Sequence, residues 1–327
     1  MVSRWSSEHQ RMHLKLLRIP ELLPQGEKLL LAVSGGQDSM AMLGLLNDLK
    51  KFHEWELQIW HGNHNIRPNA TQQSSDISTW AKQQSLAITV ENWPMPQANE
   101  EAAREWRYQC LKKVANKMAI NYVLTAHTAN DRAETLLLHA ARGCHRNGLG
   151  SLKEKRALDK KIKLIRPMLM YKREDTMKIC KNLNLPVWED CSNSSPCFTR
   201  NRIRNEVIPI LEELHPKSTI RLASLSKSME DEYEHQEELV KLALSSLTPE
   251  NWQDQLNLAK LTKLSRVNQK LLVQAWLKIN RKATLPRKAL EELITRINNG
   301  TNNRMIDFKN ITIIIKNNWI QLITKKH

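Results

Sequence analysis

No apolar stretch of the chain approaches the roughly 18 to 20 residues of a membrane-spanning helix, and no signal-type apolar core follows its first residues. Cysteine is sparse and odd in number, five in 327 residues, with no Cys-x-x-Cys pair. That argues against a disulfide framework and against paired-thiolate metal or redox chemistry. Cys191 and Cys197 lack a neighbour at zinc spacing and read as packing residues, and Cys144-His145 carries no catalytic signature of its own. Gly-x4-Gly-Lys-Ser/Thr is absent, and so is Gly-x-Gly-x-x-Gly, so neither common nucleotide fingerprint applies. Internal repeats and low-complexity tracts are missing, as is an amphipathic helix with a broad basic face. Acidic residues are outnumbered, 34 against 50 Lys and Arg, giving a net charge of +16. The excess points to a polyanion, and with no membrane-seeking segment that means nucleic acid. Compositional drift is the alternative, because the C-terminal part is rich in Asn, Lys and Ile together. The expectation is a chain in a reducing compartment, the cytoplasm or a plastid stroma.

What is present is an alternation of apolar strands and amphipathic helices. A lead-in helix over 8–18 ends at Pro20 and Pro24. Strands follow at 28–33, 57–61, 87–91, 122–127 and 164–169, with helices at 39–50, 70–85, 100–118, 130–142 and 172–184 between and after them. This pattern predicts an α/β fold, a doubly wound parallel sheet with helices on both faces. Ligands in such sheets bind beyond the C-terminal strand ends. Residues 188–204 read as irregular, a long helix as starting at Ser218, and a boundary as lying near Pro216. The result is a catalytic domain over 1–216 and a smaller, mainly helical one over 217–327, with strand segments at 305–308 and 311–322.

The stretch that organises the first domain is Ser34-Gly35-Gly36-Gln37-Asp38-Ser39, between an apolar strand and an apolar helix. The glycines allow a tight turn with exposed N–H groups. The helix that follows begins with unpaired donors and a positive dipole end, a ready anion site. Ser34 and Ser39 add hydroxyls, and Asp38 can hold a phosphate-bridging cation. A glycine turn that merely caps a core helix is the alternative. Downstream, Asp131 and Glu134 share one helix face. They complement the helix dipole or, beside a phosphate loop, hold Mg²⁺ or an amine. Arg104 and Arg107 lie on one helix face and either pair with Glu100 and Glu101 or clamp phosphate. Arg200, Arg202 and Arg204 crowd a helix start, which suits phosphate contact, and residues 153–173 form a second basic strip for an RNA backbone. No feature singles out one of the ten tryptophans as a base-stacking residue.

SGGQDS resembles the pyrophosphate loop of the ATP pyrophosphatases. Together with HGNHNIRPNA (61–70), EEAAREWRY (100–108), LTAHTANDRAETLLL (124–138), ARGCHRNGLGSL (141–152), IRPML (165–169) and WEDCSNSSPCFTRNRIRNEVIP (188–209), it resembles the tRNA(Ile)-lysidine synthases over about the first two-thirds of the chain. Asn130-Asp131-Arg132 departs from the family's usual Asn-Asp-Gln or Asp-Asp-Gln, placing a cation beside Asp131, and Arg142-Gly143-Cys144-His145 departs from Arg-Gly-Ser-Gly. The resemblance implies adenylation of the wobble cytidine of tRNA(Ile) bearing a CAU anticodon, followed by attack of free L-lysine. It implies ATP on Ser34, Gly35, Gly36, Gln37, Asp38, Ser39, His64 and His127. It further implies Mg²⁺ on Asp38 and Asp131, and catalytic roles for Asp38, Arg104 and Asp131. Lysine falls to Asp131 and Glu134, and tRNA phosphates to Arg107, Arg200, Asn201 and Arg204. A C-terminal tRNA-binding domain and a homodimer complete the set. A tRNA thiolase of the same ATP-splitting group, or a non-catalytic tRNA binder, is the competing expectation.

Overall fold

The computed structural model describes residues 5–64, 70–94, 100–144, 146–188, 199–249, 254–281, 284–299, 304–308 and 311–323. Cys191, Cys197, His145 and the 65–69 part of the HGNHNIRPNA stretch lie outside them. The chain forms two compact units, Met1–Glu230 and Asp231–His327.

The first unit runs α1 (Ser7–Arg18), β1 (Lys28–Ala32), α2 (Gln37–His53), β2 (Glu56–Asn63), α3 (Ala70–Gln83), β3 (Ala87–Asn92) and α4 (Glu100–Lys117). It continues with β4 (Tyr122–Thr125), α5 (Ala129–Ala141), α6 (Arg146–Leu149), β5 (Lys155–Ala157), β6 (Lys163–Ile165), α7 (Arg173–Asn182), α8 (Thr199–Arg202), a π-turn over Ile203–Val207, α9 (Ile208–Leu214) and the start of α10 (Ser218–Leu247). Its sheet has the order β3-β2-β1-β4-β6-β5, parallel except for β5. The order reverses between β1 and β4, so the crevice at their C-terminal ends is where a ligand binds in such a sheet.

Burial explains the apolar runs. Leu29, Leu31 and Leu124 pack one face against α1, α2, α3 and α7 through Met12, Met40, Leu43, Ala81 and Ile179. Leu30, Val123 and Leu164 pack the other face against Leu111, Val114 and Ala115 of α4. The doubly wound sheet expected from the sequence is what forms.

Three local expectations are revised. The strand read at 164–169 stops at Ile165, because Pro167 has no N–H for a ladder and opens a 3₁₀ turn over Pro167–Met170 instead. The antiparallel strand β5 carries no apolar run of its own and was not expected. The units divide after Glu230, inside α10, rather than at Pro216. The first turns of α10 are bound into the first unit: Ser226 Oγ donates to Leu149 O at 2.8 Å, and Glu230 pairs with Arg132 at 3.1 Å.

The second unit holds the rest of α10, β7 (Gln255–Asn257), α11 (Leu258–Thr262), α12 (Arg266–Arg281), α13 (Arg287–Asn298), β8 (Arg304–Phe308), β9 (Ile311–Lys316) and β10 (Trp319–Ile323). Alongside its helices it carries an antiparallel sheet in the order β7-β10-β9-β8. The stretch 311–322 is two strands, because Asn317 and Asn318 adopt φ of 49° and 64° and make a tight hairpin turn of the I′ kind. Its core gathers Trp276, Leu277, Leu293, Ile294, Ile313 and Ile320.

Candidate active site

The loop after β1 is a tight turn that leads straight into the N-terminus of α2. Gly35 has φ +89°, open mainly to glycine, and a Cβ there would meet Ile77 Cδ1 at 2.7 Å and Gln73 Nε2 at 3.0 Å. At Gly36 an added Cβ would meet only Ser34 Oγ, at 3.5 Å, so the space above it is open. Ser34 and Ser39 bind each other (Oγ to Oγ 3.2 Å), Gly36 N donates to Ser34 Oγ at 3.3 Å, and Ser39 Oγ donates to Gly36 O at 2.8 Å. No side chain caps α2 at Gly36, which leaves its first N–H groups for an anion. That is a cradle fitted to phosphate.

Two features outside the loop hold it, and sequence reasoning missed both. His61, buried at the end of β2, donates from Nδ1 to Val33 O at 2.8 Å, and burial holds its pKa below the ordinary value. Thr176 of α7 donates to Asp38 Oδ1 at 2.6 Å, while Gln37 Nε2 donates to Arg173 O at 2.6 Å and to Thr176 Oγ1 at 2.9 Å. The Gln37 side chain is thereby committed to α7, and what it offers a phosphate is its backbone N–H. Burial raises the Asp38 pKa against the opposing pull of the Thr176 hydrogen bond and the Arg173 charge.

Opposite the loop, α5 begins at the end of β4. Thr128 N and Oγ1 both donate to Asp131 Oδ2, at 2.8 and 3.0 Å, closing the first turn. Asp131 Oδ1 meets Arg200 Nη2 at 2.8 Å, Arg204 Nη2 at 3.7 Å and Arg173 Nη2 at 3.8 Å. Glu134, fully buried, meets Arg200 Nε at 2.9 Å, Arg204 Nε at 2.7 Å and Arg204 Nη2 at 3.0 Å. Burial works to raise the Asp131 pKa, but Arg200, Arg173 and the Thr128 N–H outweigh it and hold it well below the usual carboxylate range. The charges of Arg200 and Arg204 are met by these acids, so no phosphate is needed to hold them together, while Arg202 turns to Glu206 at the surface. Asn201 is buried.

Arg173 is common ground for the two halves of the site, 3.6 Å from Asp38 Oδ2 and 3.8 Å from Asp131 Oδ1. Two carboxylates converging on one cation form a donor set that Mg²⁺ takes up together with phosphate oxygens. Among the described residues no group of three or more acids, histidines and cysteines stands ready to hold a metal unaided.

His127 Nδ1 lies 3.0 Å from Thr125 Oγ1; burial and the nearby Arg166, Arg200 and Arg104 charges hold its ring neutral against the Asp131 charge. Arg104 lies over the Tyr108 ring, 5.1 Å from its centroid. Arg107 is half-buried on the same helix. His64, at the end of β2, meets Trp93 and Trp106 edge-on (5.7 and 5.0 Å), and those two indoles stack at 5.6 Å and 14°. The tryptophan pair that sequence alone did not single out thus flanks an expected ATP residue. Arg132, the cation next to Asp131 in sequence, points away to Glu230 Oε2 and Leu152 O, both at 3.1 Å, and leaves the Asp131 carboxylate to the arginines of α7, α8 and the π-turn. A cavity of about 290 Å³ lined by Asn130, Lys172, Glu174, Ile208, Glu212 and Thr219, among others, opens beside the start of α5.

A family model described as a PP-loop domain matches residues 7–211. A tRNA(Ile)-lysidine synthase of Prochlorococcus marinus is 40% identical over 328 residues, spanning 98% of this chain and 97% of that protein. Another, of Parasynechococcus marenigrum, is 43% identical over 298 residues, spanning 90% and 87%. Among solved structures, the U34-tRNA thiolase NcsA of Methanococcus maripaludis superposes with a TM-score of 0.58 at 18% identity, over 68% of this chain and 78% of that one. At that identity the likeness reaches the fold alone.

Proposed function

Because the chain belongs to the tRNA(Ile)-lysidine synthases of the PP-loop family, we propose that it uses ATP to join L-lysine to C2 of the wobble cytidine of tRNA(Ile), converting a CAU anticodon from methionine to isoleucine specificity. The cytosine C2 oxygen attacks the α-phosphorus of ATP and pyrophosphate leaves. The lysine ε-ammonium gives a proton to a carboxylate of the Asp131–Glu134 pair, the free amine then attacks C2, and AMP leaves with the oxygen. The observation that carries the reading is the meeting of an open N–H cradle at β1 with a buried carboxylate pair at β4, joined through Arg173.

Each residue set has a task in this scheme. The Ser34–Ser39 turn and the first N–H groups of α2 hold the phosphates and receive the leaving pyrophosphate. Asp38 and Asp131 would hold Mg²⁺, which would neutralise phosphate charge there. Arg104 faces the charge that develops as AMP is transferred. His127, kept neutral by burial and by its cationic neighbours, can bind a phosphate oxygen or base edge as donor without adding a charge. Asp131 and Glu134 take the lysine ammonium in exchange for part of their present pairing with Arg200 and Arg204, since one cation replaces another. The second unit is assigned to tRNA binding, a homodimer is part of the same proposal, and no helix among the described residues is long and apolar enough to cross a membrane.

The test is incubation with ATP, labelled lysine and transcripts of tRNA(Ile) and tRNA(Met) bearing the same anticodon. Label on the tRNA(Ile) transcript alone is the expected result. Label on neither, with a thiol product when a sulfur donor is supplied, would overturn it.

A further inference from the structure

The arginines around the site fall into two groups. Arg132, Arg173, Arg200 and Arg204 each face a carboxylate. Arg104, Arg156 and Arg166 do not: among the described residues none of them has an acidic partner at ion-pair distance. They gather on Tyr108 instead. The guanidinium carbons of Arg104 and Arg156 lie 5.1 and 4.9 Å from its ring centroid. The Arg104, Arg166 and Arg156 charges all act on its hydroxyl. Arg166 is 1% exposed; one of its terminal nitrogens donates to Lys153 O, and its Nε is buried with no acceptor.

A neutral phenol attracts each cation modestly, on the order of 0.5 to 2 kcal/mol, and leaves the mutual repulsion of three cations in place. Burial and that repulsion push Arg166 down to about 10, with Tyr108 working against them, and the same cations hold the Tyr108 hydroxyl below its ordinary value despite its burial. A cluster of this kind is complete when an anion enters it, and guanidinium forks fit the oxygens of a phosphate.

The fold says which phosphate. Arg104 and Tyr108 sit one turn apart on α4, and Arg156 and Arg166 come from the β5–β6 hairpin and its exit. In the sheet order β5 stands three strands from β1, about 14 Å at the usual spacing. That is a separate address from the cradle at Ser34–Ser39. The cluster also grades from the buried Arg166 to Arg156, half-buried on a strand at the sheet edge, while Arg104 and Arg166 lie close enough to His127 to depress its pKa. An extended polyanion lying along the hairpin can reach in this way from the surface, at Arg156, to the reacting centre, where Arg104 also faces the adenylyl group.

We propose that Arg104, Arg156, Arg166 and Tyr108 form a phosphodiester site that holds the RNA backbone beside the base being modified. The proposal rests on the reading that RNA is the substrate. It adds an anchoring point for the nucleotide itself, distinct from the ATP cradle and from the acid-paired arginines.

The experiment uses the full chain and R156Q, with R156K as the charge-preserving control. Binding of the tRNA(Ile) transcript is followed against salt concentration, and affinity for a non-hydrolysable ATP analogue is measured without RNA. The expected result for R156Q is a three- to tenfold weaker transcript affinity and a log–log salt slope shallower by about 0.7 to 0.9, the value of one phosphate contact. R156K keeps the slope but not the full affinity, and the analogue binds all three proteins within twofold. A transcript with an uncharged methylphosphonate linkage next to the target cytidine reproduces the loss for the unaltered protein and adds nothing to R156Q. An unchanged salt slope in a well-folded R156Q overturns the site, and so does a loss of analogue affinity at constant slope, which would give the arginines to the nucleotide. Lysine attachment by the unaltered protein is run alongside: its absence indicts the reading of the function, whereas its presence with an unchanged slope indicts the phosphodiester site alone.

Discussion

Replacing Glu134 by Gln removes one charge from a fully buried carboxylate that receives three guanidinium hydrogen bonds, at 2.9, 2.7 and 3.0 Å. The glutamine keeps one acceptor oxygen, but its NH₂ group then faces a guanidinium donor. Breaking a fully buried pair costs about 3 to 5 kcal/mol. Arg200 and Arg204 are 21% and 16% exposed and Asp131 still faces both, so solvent and that carboxylate reduce the expected loss. About 2 to 3 kcal/mol is the resulting figure. For a unit of this size that is a fall in Tm of roughly 5 to 10 °C. The activity effect has a separate origin: a lysine ammonium that loses a charged hydrogen-bond partner loses about 1.5 to 3 kcal/mol. That corresponds to roughly a 10- to 150-fold drop in kcat/KM for lysine, with KM for ATP and for tRNA moving less than about threefold. Scanning calorimetry and steady-state lysine incorporation measure the two effects. A lower Tm with unchanged lysine kinetics would refute the assignment and leave Glu134 as a structural partner of the arginines. An equal loss in the ATP parameters would refute it in a different way, by moving Glu134 to the nucleotide side.

Alanine at Gly36 is expected to leave Tm within about 1 °C, because its Cβ meets only Ser34 Oγ at 3.5 Å, yet to weaken ATP-analogue binding at least tenfold; alanine at Gly35 loses stability as well, since φ is +89° and Ile77 is 2.7 Å away. Calorimetry with analogue titration separates the two. His53, His61 and His127 all have folded pKa values below the ordinary 6.5, so the unfolded chain takes up their protons first. Stability is therefore lost as pH falls below about 6.5, at up to about 1.4 kcal/mol per pH unit per group. H127N should remove one proton's worth of that slope in urea midpoints taken from pH 8 to 5. The Asp131 contribution is present above pH 4 and lost only below it, because its folded pKa is depressed. In the second unit N318G should raise Tm and N318A lower it by an amount worth about 1 kcal/mol, given φ of 64° at the β9–β10 turn; equal Tm values for the two would remove the turn from the stability argument.

What could be read from the sequence was whatever a single local stretch decides. Leu29–Leu31 and Tyr122–Thr125 announce buried parallel strands because both faces of that sheet are covered. The glycine turn announces an anion cradle because its neighbours are a strand and a helix. The short β5 is different: Lys155-Arg156-Ala157 has neither apolar run nor alternation, and it becomes a strand only because β6 offers it an edge. The split of 311–322 was carried by two asparagines, a local signal of left-handed backbone that a run of isoleucines obscured.

The site follows the same division. Asp131 and Glu134 are one helical turn apart, so their shared face was visible; the arginines that meet Glu134 stand 66 and 70 residues further on. Three cations in the five residues 200–204 read naturally as a phosphate strip, because the chain gives no sign that two carboxylates lie between two of them. At Arg104 the sequence left open both pairing with Glu100 or Glu101 and contact with phosphate, and the fold places Tyr108 and two more guanidiniums beside it. Charge density along a sequence is therefore a poor guide to charge density in space. In this protein the crowded cations are the ones that face carboxylates, and the scattered Arg104, Arg156 and Arg166 are those without an acidic partner among the described residues.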